Sequence, residues 1–128
     1  MKTRFARTMC ALLLSALTLV SIAAEAPRPS AADVRDAYDT GAVFVDVRTD
    51  AEWSEGHLKG AVHLPVDQVD ARAASLLPDK DAALVLYCRT GRRAQSAAEQ
   101  LRQLGYTHVS AMTGGYVDLE AAGYPVVE

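Results

Sequence analysis

The residues with the clearest chemical potential stand at Cys88, where a cysteine is followed within five positions by three arginines and a glycine. Arg89, Arg92 and Arg93 supply positive charge, and Gly91 permits the tight, positive-φ turn that a loop around an anion needs. A free cysteine has a pKa near ~8.5, and adjacent cations or a helix N-terminus lower that value. The pattern therefore predicts a depressed Cys88 pKa and a loop that holds an anionic substrate.

The elements on either side of this loop would place the cysteine between a strand end and a helix start. Residues 84–87 form an apolar run of strand length, and residues 94–104 have helical spacing, with Ala97 and Leu101 on one face. In open parallel sheets, sites form at the carboxyl ends of strands. The free N–H groups of a helix start bind anions. Position and residue type thus indicate the same chemistry.

Strands and short helices alternate along the remaining chain, which favours an α/β fold with a mainly parallel sheet. Residues 25–29 are predicted to be a loose lead-in. The pair Gly114 and Gly115 is predicted to open the last helix. Further helices are predicted at residues 31–39, 50–55 (capped by Thr49 or Asp50), 67–77 and 116–122, and strands at residues 42–47, 61–64, 107–110 and 125–127.

The N-terminus has the layout of a secretory signal peptide. Lys2, Arg4 and Arg7 precede an uncharged run at residues 9–24 that ends in small residues. A transmembrane anchor is the alternative, but the run is short for a bilayer span. We predict a signal peptide at residues 1–24, one domain at residues 25–128, and a periplasmic protein without stable membrane insertion after cleavage.

Removal of this segment changes the charge and the cysteine count. The chain has 13 basic and 16 acidic residues; residues 1–24 hold three of the basic and none of the acidic ones, so the formal charge falls from −3 to −6. So acidic a domain is a poor partner for nucleic acid. Cys10 is also lost, which leaves Cys88 as the only cysteine. A lone thiol in an oxidising compartment makes no internal disulfide, which favours a functional role over a structural one.

Residues 87–93, which read Tyr-Cys-Arg-Thr-Gly-Arg-Arg, resemble the active-site loop of the rhodanese-domain sulfurtransferases. Two further signatures agree, so that the resemblance extends over residues 30–127. Leu119 stands where the family often has tryptophan. The two signatures read Asp46-Val47-Arg48, Glu52-Trp53 and Gly56-His57-Leu58-Lys59-Gly60-Ala61-Val62-His63-Leu64-Pro65 near the N-terminus, and Gly114-Gly115 with Gly123-Tyr124-Pro125-Val126 near the C-terminus.

The resemblance implies a rhodanese-like three-layer fold, with a mainly parallel central sheet and helices on both faces. It implies a single-domain thiosulfate sulfurtransferase that carries sulfane sulfur as a persulfide on Cys88 and passes it to cyanide or a thiol. No metal or organic cofactor is implied, and we expect a monomer. Enzymes that use 3-mercaptopyruvate have small residues after the cysteine, so the arginines favour thiosulfate. The substrate-binding set is then Arg89, Thr90, Gly91, Arg92 and Arg93, with a solvated surface role as the alternative for Arg92.

Other functions of the same thiol remain open at this point. Phosphatases of this fold carry the arginine six residues after the cysteine, whereas here Ala94 holds that position and Arg93 stands at five. They usually have histidine where this chain has Tyr87. A non-catalytic persulfide carrier and a thiol redox sensor would use the same Cys88 and the same loop.

Three residues outside the loop are candidates for a supporting role. Asp46 and Arg48 end the first predicted strand, and we interpret them as an ion pair or hydrogen-bonded tie between loops, with a substrate contact as the alternative. We interpret His57 as a histidine that fixes a loop, with a general base as the alternative. Three scattered histidines and one cysteine do not form a metal site by spacing.

Overall fold

The computed structural model describes residues 27–128, so the predicted signal peptide at residues 1–24 lies outside the described residues. The described chain alternates strands and helices, as the sequence predicts. Its helices are α1 (Arg35–Asp39), α2 (Asp50–Glu55), α3 (Val69–Leu76), α4 (Arg92–Gln103) and α5 (Tyr116–Ala121), with a 3-10 turn at Val66–Gln68 before α3. Its strands are β1 (Val43–Asp46), β2 (His57–Leu58), β3 (Val62–His63), β4 (Ala83–Cys88), β5 (His108–Gly115) and β6 (Val126–Val127).

Four strands form a parallel sheet in the order β3-β1-β4-β5. Strands β1 and β4 occupy its centre, and Asp46 at the end of β1 pairs in register with Tyr87 of β4. Because the strands are parallel, their carboxyl ends lie at one edge of the sheet. Asp46, His63, Cys88 and Gly115 are the last residues of these strands, so this edge gathers most of the chemistry-bearing residues.

The two faces of the sheet are covered by different helices, which confirms the predicted three-layer architecture. Side chains alternate along β4, as they must in a strand. Leu86 packs in the cluster that contains Ala97 and Leu101 of α4, whereas Val85 packs with Leu119 of α5 on the other face. Such double cover explains the continuous apolar runs of the central strands.

The helix α2 begins as the sequence predicts. The Thr49 hydroxyl accepts a hydrogen bond from the Glu52 N–H, and the Glu52 carboxylate accepts one from the Thr49 N–H. This reciprocal capping box satisfies two donors at the helix start. The helix ends at Gly56, whose φ of 151° is closed to most other residues.

Helix α1 starts later than predicted, at Arg35 rather than at residue 31. The Asp33 carboxylate accepts hydrogen bonds from both the N–H and the hydroxyl of Ser30, so residues 31–34 close into turns. The serine hydroxyl therefore donates to Asp33 and does not cap the helix. Short polar side chains compete with helical backbone bonds in this way.

Strand β5 is longer than predicted and ends with the glycine pair Gly114 and Gly115. The last helix opens directly after this pair, as predicted, with Gly115 as its N-cap and Tyr116 as its first residue. The strand was predicted at residues 107–110, but pairing with β4 continues as far as Cys88 and Gly115. Glycine has a low strand propensity, and here the neighbouring strand overrides it. The structure also contains β2, which the sequence did not predict; it pairs antiparallel with β6, the predicted C-terminal strand.

Tyr87 ties the two sheets together from the centre of the fold. Its ring is fully buried, and its hydroxyl accepts a hydrogen bond of 3.0 Å from the Leu58 N–H of β2. Burial raises the pKa of Tyr87 above its ordinary value, so the phenol stays neutral.

We expect Tyr87→Phe to lower the free energy of unfolding by about 1–3 kcal/mol, because the Leu58 N–H loses its buried acceptor. Chemical denaturation measures the change. Tyr38→Phe is the matched control, since the Tyr38 hydroxyl donates to the Lys59 carbonyl at an exposed position. Equal losses in the two variants would contradict this account.

Candidate active site

Cys88 is the last residue of β4 and lies at the carboxyl edge of the sheet. It is fully buried and packs on the α4 face with Ala94. The Gly91 N–H donates a hydrogen bond of 3.0 Å to Cys88 Sγ. A backbone donor aimed at sulfur stabilises an anion there. The residue that the sequence singles out as the nucleophile therefore has an anion-stabilising partner.

Gly91 has the left-handed conformation that the sequence predicts, with φ of 100°. A side chain at this position would be strained by the backbone and would also be crowded. An added Cβ would lie 2.9 Å from Arg28 Nη2 and 3.1 Å from the Met112 carbonyl oxygen. Only glycine fits this turn without strain, and the turn is what directs the N–H at the sulfur.

Helix α4 begins directly after this turn, at Arg92. Gly91 is its N-cap and offers no side-chain acceptor, and the first turn of the helix contains no acidic residue. The first N–H groups of a helix lack partners within it, and the helix dipole adds positive potential at the same end. The site therefore combines a buried sulfur with a helix N-terminus that favours negative charge.

Gly115 allows β5 to pass directly against the loop. An added Cβ at this position would overlap the carbonyl oxygens of Cys88 and Arg89. The predicted reason for this glycine, a turn into the last helix, is therefore incomplete. Gly115 also allows the close approach of two backbones at the carboxyl edge of the sheet.

The loop arginines occupy three different environments. Arg89 is exposed and lines an open pocket of about 200 Å³, whose lining includes Arg89 but not Cys88. Thr90 and Arg92 are also exposed, whereas Arg93 is half-buried. The pocket is lined by residues of both charges together with two that offer apolar surface, namely Arg48, Glu52, Glu55, Arg89, Tyr116 and Val117.

Arg93 forms a two-pronged ion pair with Glu52 of α2. Its two terminal nitrogens lie 2.6 Å and 3.0 Å from the Glu52 carboxylate oxygens. The hydrogen bonds from Arg93 hold the pKa of Glu52 down to about 2, and the same contact raises the pKa of Arg93. The sequence predicts a donor-binding role for Arg93 and does not predict this carboxylate partner.

Asp46 and Arg48 form the predicted ion pair, and both are buried. Arg48 Nη2 lies 2.7 Å from Asp46 Oδ2 and 2.6 Å from the Gly56 carbonyl oxygen. The Arg48 guanidinium also lies over the Tyr116 ring, 4.3 Å from its centre. The pair ties the end of β1 to the end of α2, and Arg48 reaches the wall of the pocket. Burial of both charges makes this tie strongly dependent on both partners.

His57 has the loop-fixing contacts that we predicted. Its Nδ1 lies 3.1 Å from the Trp53 carbonyl oxygen, and its ring stacks on the Trp53 ring at 3.5 Å between centres. His63 stacks on Trp53 as well, at 4.6 Å. These contacts hold the segment between α2 and β3.

Two residues near the site escaped the sequence prediction. Glu52 stands in the signature near the N-terminus and three residues after Thr49, as in a capping box, but neither pattern indicates Arg93 as its partner. Arg28 precedes every predicted element, yet it donates to the Gly91 carbonyl oxygen at 2.6 Å. The predicted loose lead-in is therefore wrong for this residue, because tertiary contacts hold it in place.

Two further properties concern the described part of the chain. Residues 27–128 contain no group of three or more histidine, cysteine or carboxylate side chains placed to hold a metal ion. No helix in the same range has both the length and the apolar character needed to cross a bilayer.

Several curated proteins are similar in sequence to this chain. The chain is 37% identical over 76 residues to thiosulfate sulfurtransferase PspE of Escherichia coli, which covers 59% of this chain and 72% of that protein. It is 35% identical over 85 residues to a sulfurtransferase of Allochromatium vinosum, covering 66% of this chain and 78% of that protein. A tRNA uridine(34) hydroxylase of Erwinia tasmaniensis is 36% identical over 84 residues, but the match covers only 24% of that protein.

Solved structures of the same fold are also similar to this chain. A rhodanese with anions from E. coli has 34% sequence identity and a TM-score of 0.61, covering 69% of this chain and 99% of that one. A rhodanese-like domain of an Anabaena protein has 28% identity and a TM-score of 0.71, covering 80% and 79%. The model of the rhodanese-like domain family matches residues 30–122. The chain therefore belongs to the rhodanese-like domain family.

Proposed function

We propose that this protein is a sulfurtransferase that moves sulfane sulfur from thiosulfate to cyanide or a small thiol through a persulfide on Cys88. The observation that carries the proposal is the 3.0 Å hydrogen bond from the Gly91 N–H to Cys88 Sγ. Support also comes from the relatives named thiosulfate sulfurtransferase and sulfurtransferase, both covered over more than two thirds of their length.

The reaction needs two nucleophilic displacements at sulfur. The Cys88 thiolate attacks the outer sulfur of thiosulfate, a new S–S bond forms, and sulfite leaves with the electron pair of the broken S–S bond. The acceptor then attacks the outer sulfur of the persulfide, and the Cys88 thiolate leaves. The Gly91 N–H and the start of α4 stabilise the negative sulfur before and after each step.

Thiosulfate carries two negative charges, and arginine side chains bind such an anion through charge-assisted hydrogen bonds. Arg89 is exposed at the pocket mouth and is available for the sulfonate end of thiosulfate. Arg93 lies closer to the helix start but reaches a donor only when Glu52 releases it. Arg92 points to an exposed position. We therefore assign the first contact to Arg89 and the second to Arg93, and we propose thiosulfate in preference to 3-mercaptopyruvate.

The central test is the intact mass of the protein before and after incubation with thiosulfate. We expect a gain of one sulfur, about 32 Da, in the mature chain, which Cys88→Ser abolishes because the mature chain has no other cysteine to carry the persulfide. Persistence of the gain in Cys88→Ser would refute the persulfide assignment.

Steady-state assays with cyanide separate the enzyme from a carrier that uses the same thiol. Repeated release of sulfite and thiocyanate is expected of the enzyme. A single stoichiometric burst would instead support a persulfide carrier. Faster turnover with 3-mercaptopyruvate than with thiosulfate would overturn the donor assignment.

The ion pair between Glu52 and Arg93 predicts a change in donor affinity. We expect Glu52→Gln to lower the KM for thiosulfate by up to about fivefold, because an ion pair that solvent still reaches contributes about 0.2–1 kcal/mol. Glutamine keeps the hydrogen-bonding pattern of the capping box. Glu55→Gln is the matched control, since it removes a charge from the same pocket without releasing an arginine. Equal effects of the two variants would contradict a specific role of Arg93.

The same pair predicts how stability depends on pH. The pKa of Glu52 is about 2 in the folded chain, against an ordinary value of 4.5. The stabilisation is therefore complete above pH 4.5 and is lost as the pH falls through 2. The difference in unfolding free energy between the natural chain and Glu52→Gln is expected to be under about 1 kcal/mol, because solvent screens this partly buried pair, and it should shrink between pH 5 and pH 2.

We also propose that residues 1–24 are a signal peptide and that the mature protein is periplasmic. The basic start and the apolar run at residues 9–24 support this assignment. The expected result is a mature N-terminus within two residues of Glu25, read by terminal sequencing of protein from the periplasmic fraction. Recovery of the uncleaved chain from the membrane fraction would favour an anchor.

A further inference from the structure

We propose that Arg28 is a positioning residue for sulfur transfer, which holds Gly91 so that its N–H faces the Cys88 sulfur. Arg28 lies before α1, in a segment with no regular secondary structure. Its importance for the reaction rests on the proposed function, but its effect on Gly91 does not.

One guanidinium connects the loop to the neighbouring strand. Arg28 Nη2 donates to the Gly91 carbonyl oxygen at 2.6 Å and to the Met112 carbonyl oxygen at 2.7 Å. Arg28 Nε donates to the Ala111 carbonyl oxygen at 3.1 Å. Gly91 is thus tied to the middle of β5 through a rigid, planar group.

Arg28 binds the same residue, Gly91, that donates a hydrogen bond to the Cys88 sulfur. The Gly91 N–H points to Cys88 Sγ. The Gly91 carbonyl oxygen accepts two hydrogen bonds, one from Arg28 and one from the Gln95 N–H, which is the first bond of helix α4. Glycine has more freedom of backbone rotation than other residues, so the conformation of Gly91 needs an external contact to fix it. A donor on the carbonyl side restricts that rotation and therefore restricts the direction of the N–H.

The backbone that follows Arg28 is itself held in place by hydrogen bonds. The Pro29 carbonyl oxygen accepts a hydrogen bond of 2.8 Å from the Thr113 N–H of β5. The Ala31 carbonyl oxygen accepts one of 2.6 Å from the buried Tyr124 hydroxyl. The segment from Arg28 to Ala31 is therefore a strap across β5, the edge strand of the sheet.

Arg28 also carries a positive charge. Within residues 27–128, no carboxylate lies within ion-pair distance of Arg28, and its partners are carbonyl oxygens and the Gln95 side chain. Arg93 and Arg48, in contrast, have their charge balanced by Glu52 and Asp46. Arg28 thus brings a positive charge that no described carboxylate balances to the carbonyl side of Gly91.

The test compares Arg28→Ala, Arg28→Lys and Arg102→Ala in the otherwise unchanged full chain. Arg102 is the matched control, because it also donates from an arginine to a β5 carbonyl, that of Val109, without contacting the loop. We expect Arg28→Ala to lower kcat with thiosulfate and cyanide by about 10- to 100-fold, since small displacements of reacting groups have effects of this size. KM should change much less, because Arg28 does not touch the donor.

Amide hydrogen exchange supplies the second readout. Exchange at the Gly91 N–H should accelerate at least about tenfold in Arg28→Ala, while exchange in the centre of β4 stays unchanged. Arg28→Lys keeps the charge and one donor and should recover part of both losses. Arg102→Ala should match the natural chain in kcat and in Gly91 exchange.

Two outcomes would overturn the proposal. One is an Arg28→Ala variant with natural kcat and natural Gly91 exchange. The other is a uniform rise in exchange across the domain, which would make the strap a stabilising element without a role at the loop. If the natural chain transfers no sulfur from thiosulfate, the proposed function fails, and Gly91 exchange still decides the role of Arg28.

Discussion

The hydrogen bond between the Gly91 N–H and the Cys88 sulfur imposes conditions on the structure around it. The N–H reaches the sulfur only because Gly91 adopts a left-handed turn between the end of β4 and the start of α4. The turn must also fit beneath β5, which leaves no space for a side chain at Gly91 or at Gly115. Two glycines are thus required by one bond, one for its conformation and one for a close backbone contact.

The arginines around this bond differ in whether a carboxylate balances their charge. Arg48 is neutralised by Asp46 and buried, so it serves mainly to hold the ends of β1 and α2 together. Arg93 is neutralised by Glu52 in a more exposed setting, where a competing anion displaces a carboxylate at modest cost. Among the described residues, Arg89 and Arg92 take part in no ion pair and remain accessible. The loop therefore offers an anion two arginines without an ion pair to any described residue, Arg89 and Arg92, and a third, Arg93, that already pairs with Glu52.

Support for the site comes from both faces of the sheet. Cys88 packs on the face covered by α4, while Tyr87, its neighbour in sequence, packs on the other face and binds the Leu58 N–H of β2. Adjacent residues of one strand thus link the reactive loop and the second sheet. The alternation follows from strand geometry, in which successive side chains point in opposite directions.

Much of this arrangement could be predicted from the order of residues alone. The position of Cys88 at a strand end, the left-handed glycine, the helix that starts after it and the cap of α2 depend on neighbours within a few positions, and such local requirements follow from residue type and spacing. The order of motifs also predicted the family. The tertiary structure decided the contacts between distant residues: Arg28 on Gly91, Glu52 on Arg93, and the extension of β5 to Gly115. These contacts depend on which segments lie side by side after folding. Packing and the available backbone hydrogen-bond partners decide this, and the local sequence does not predict it.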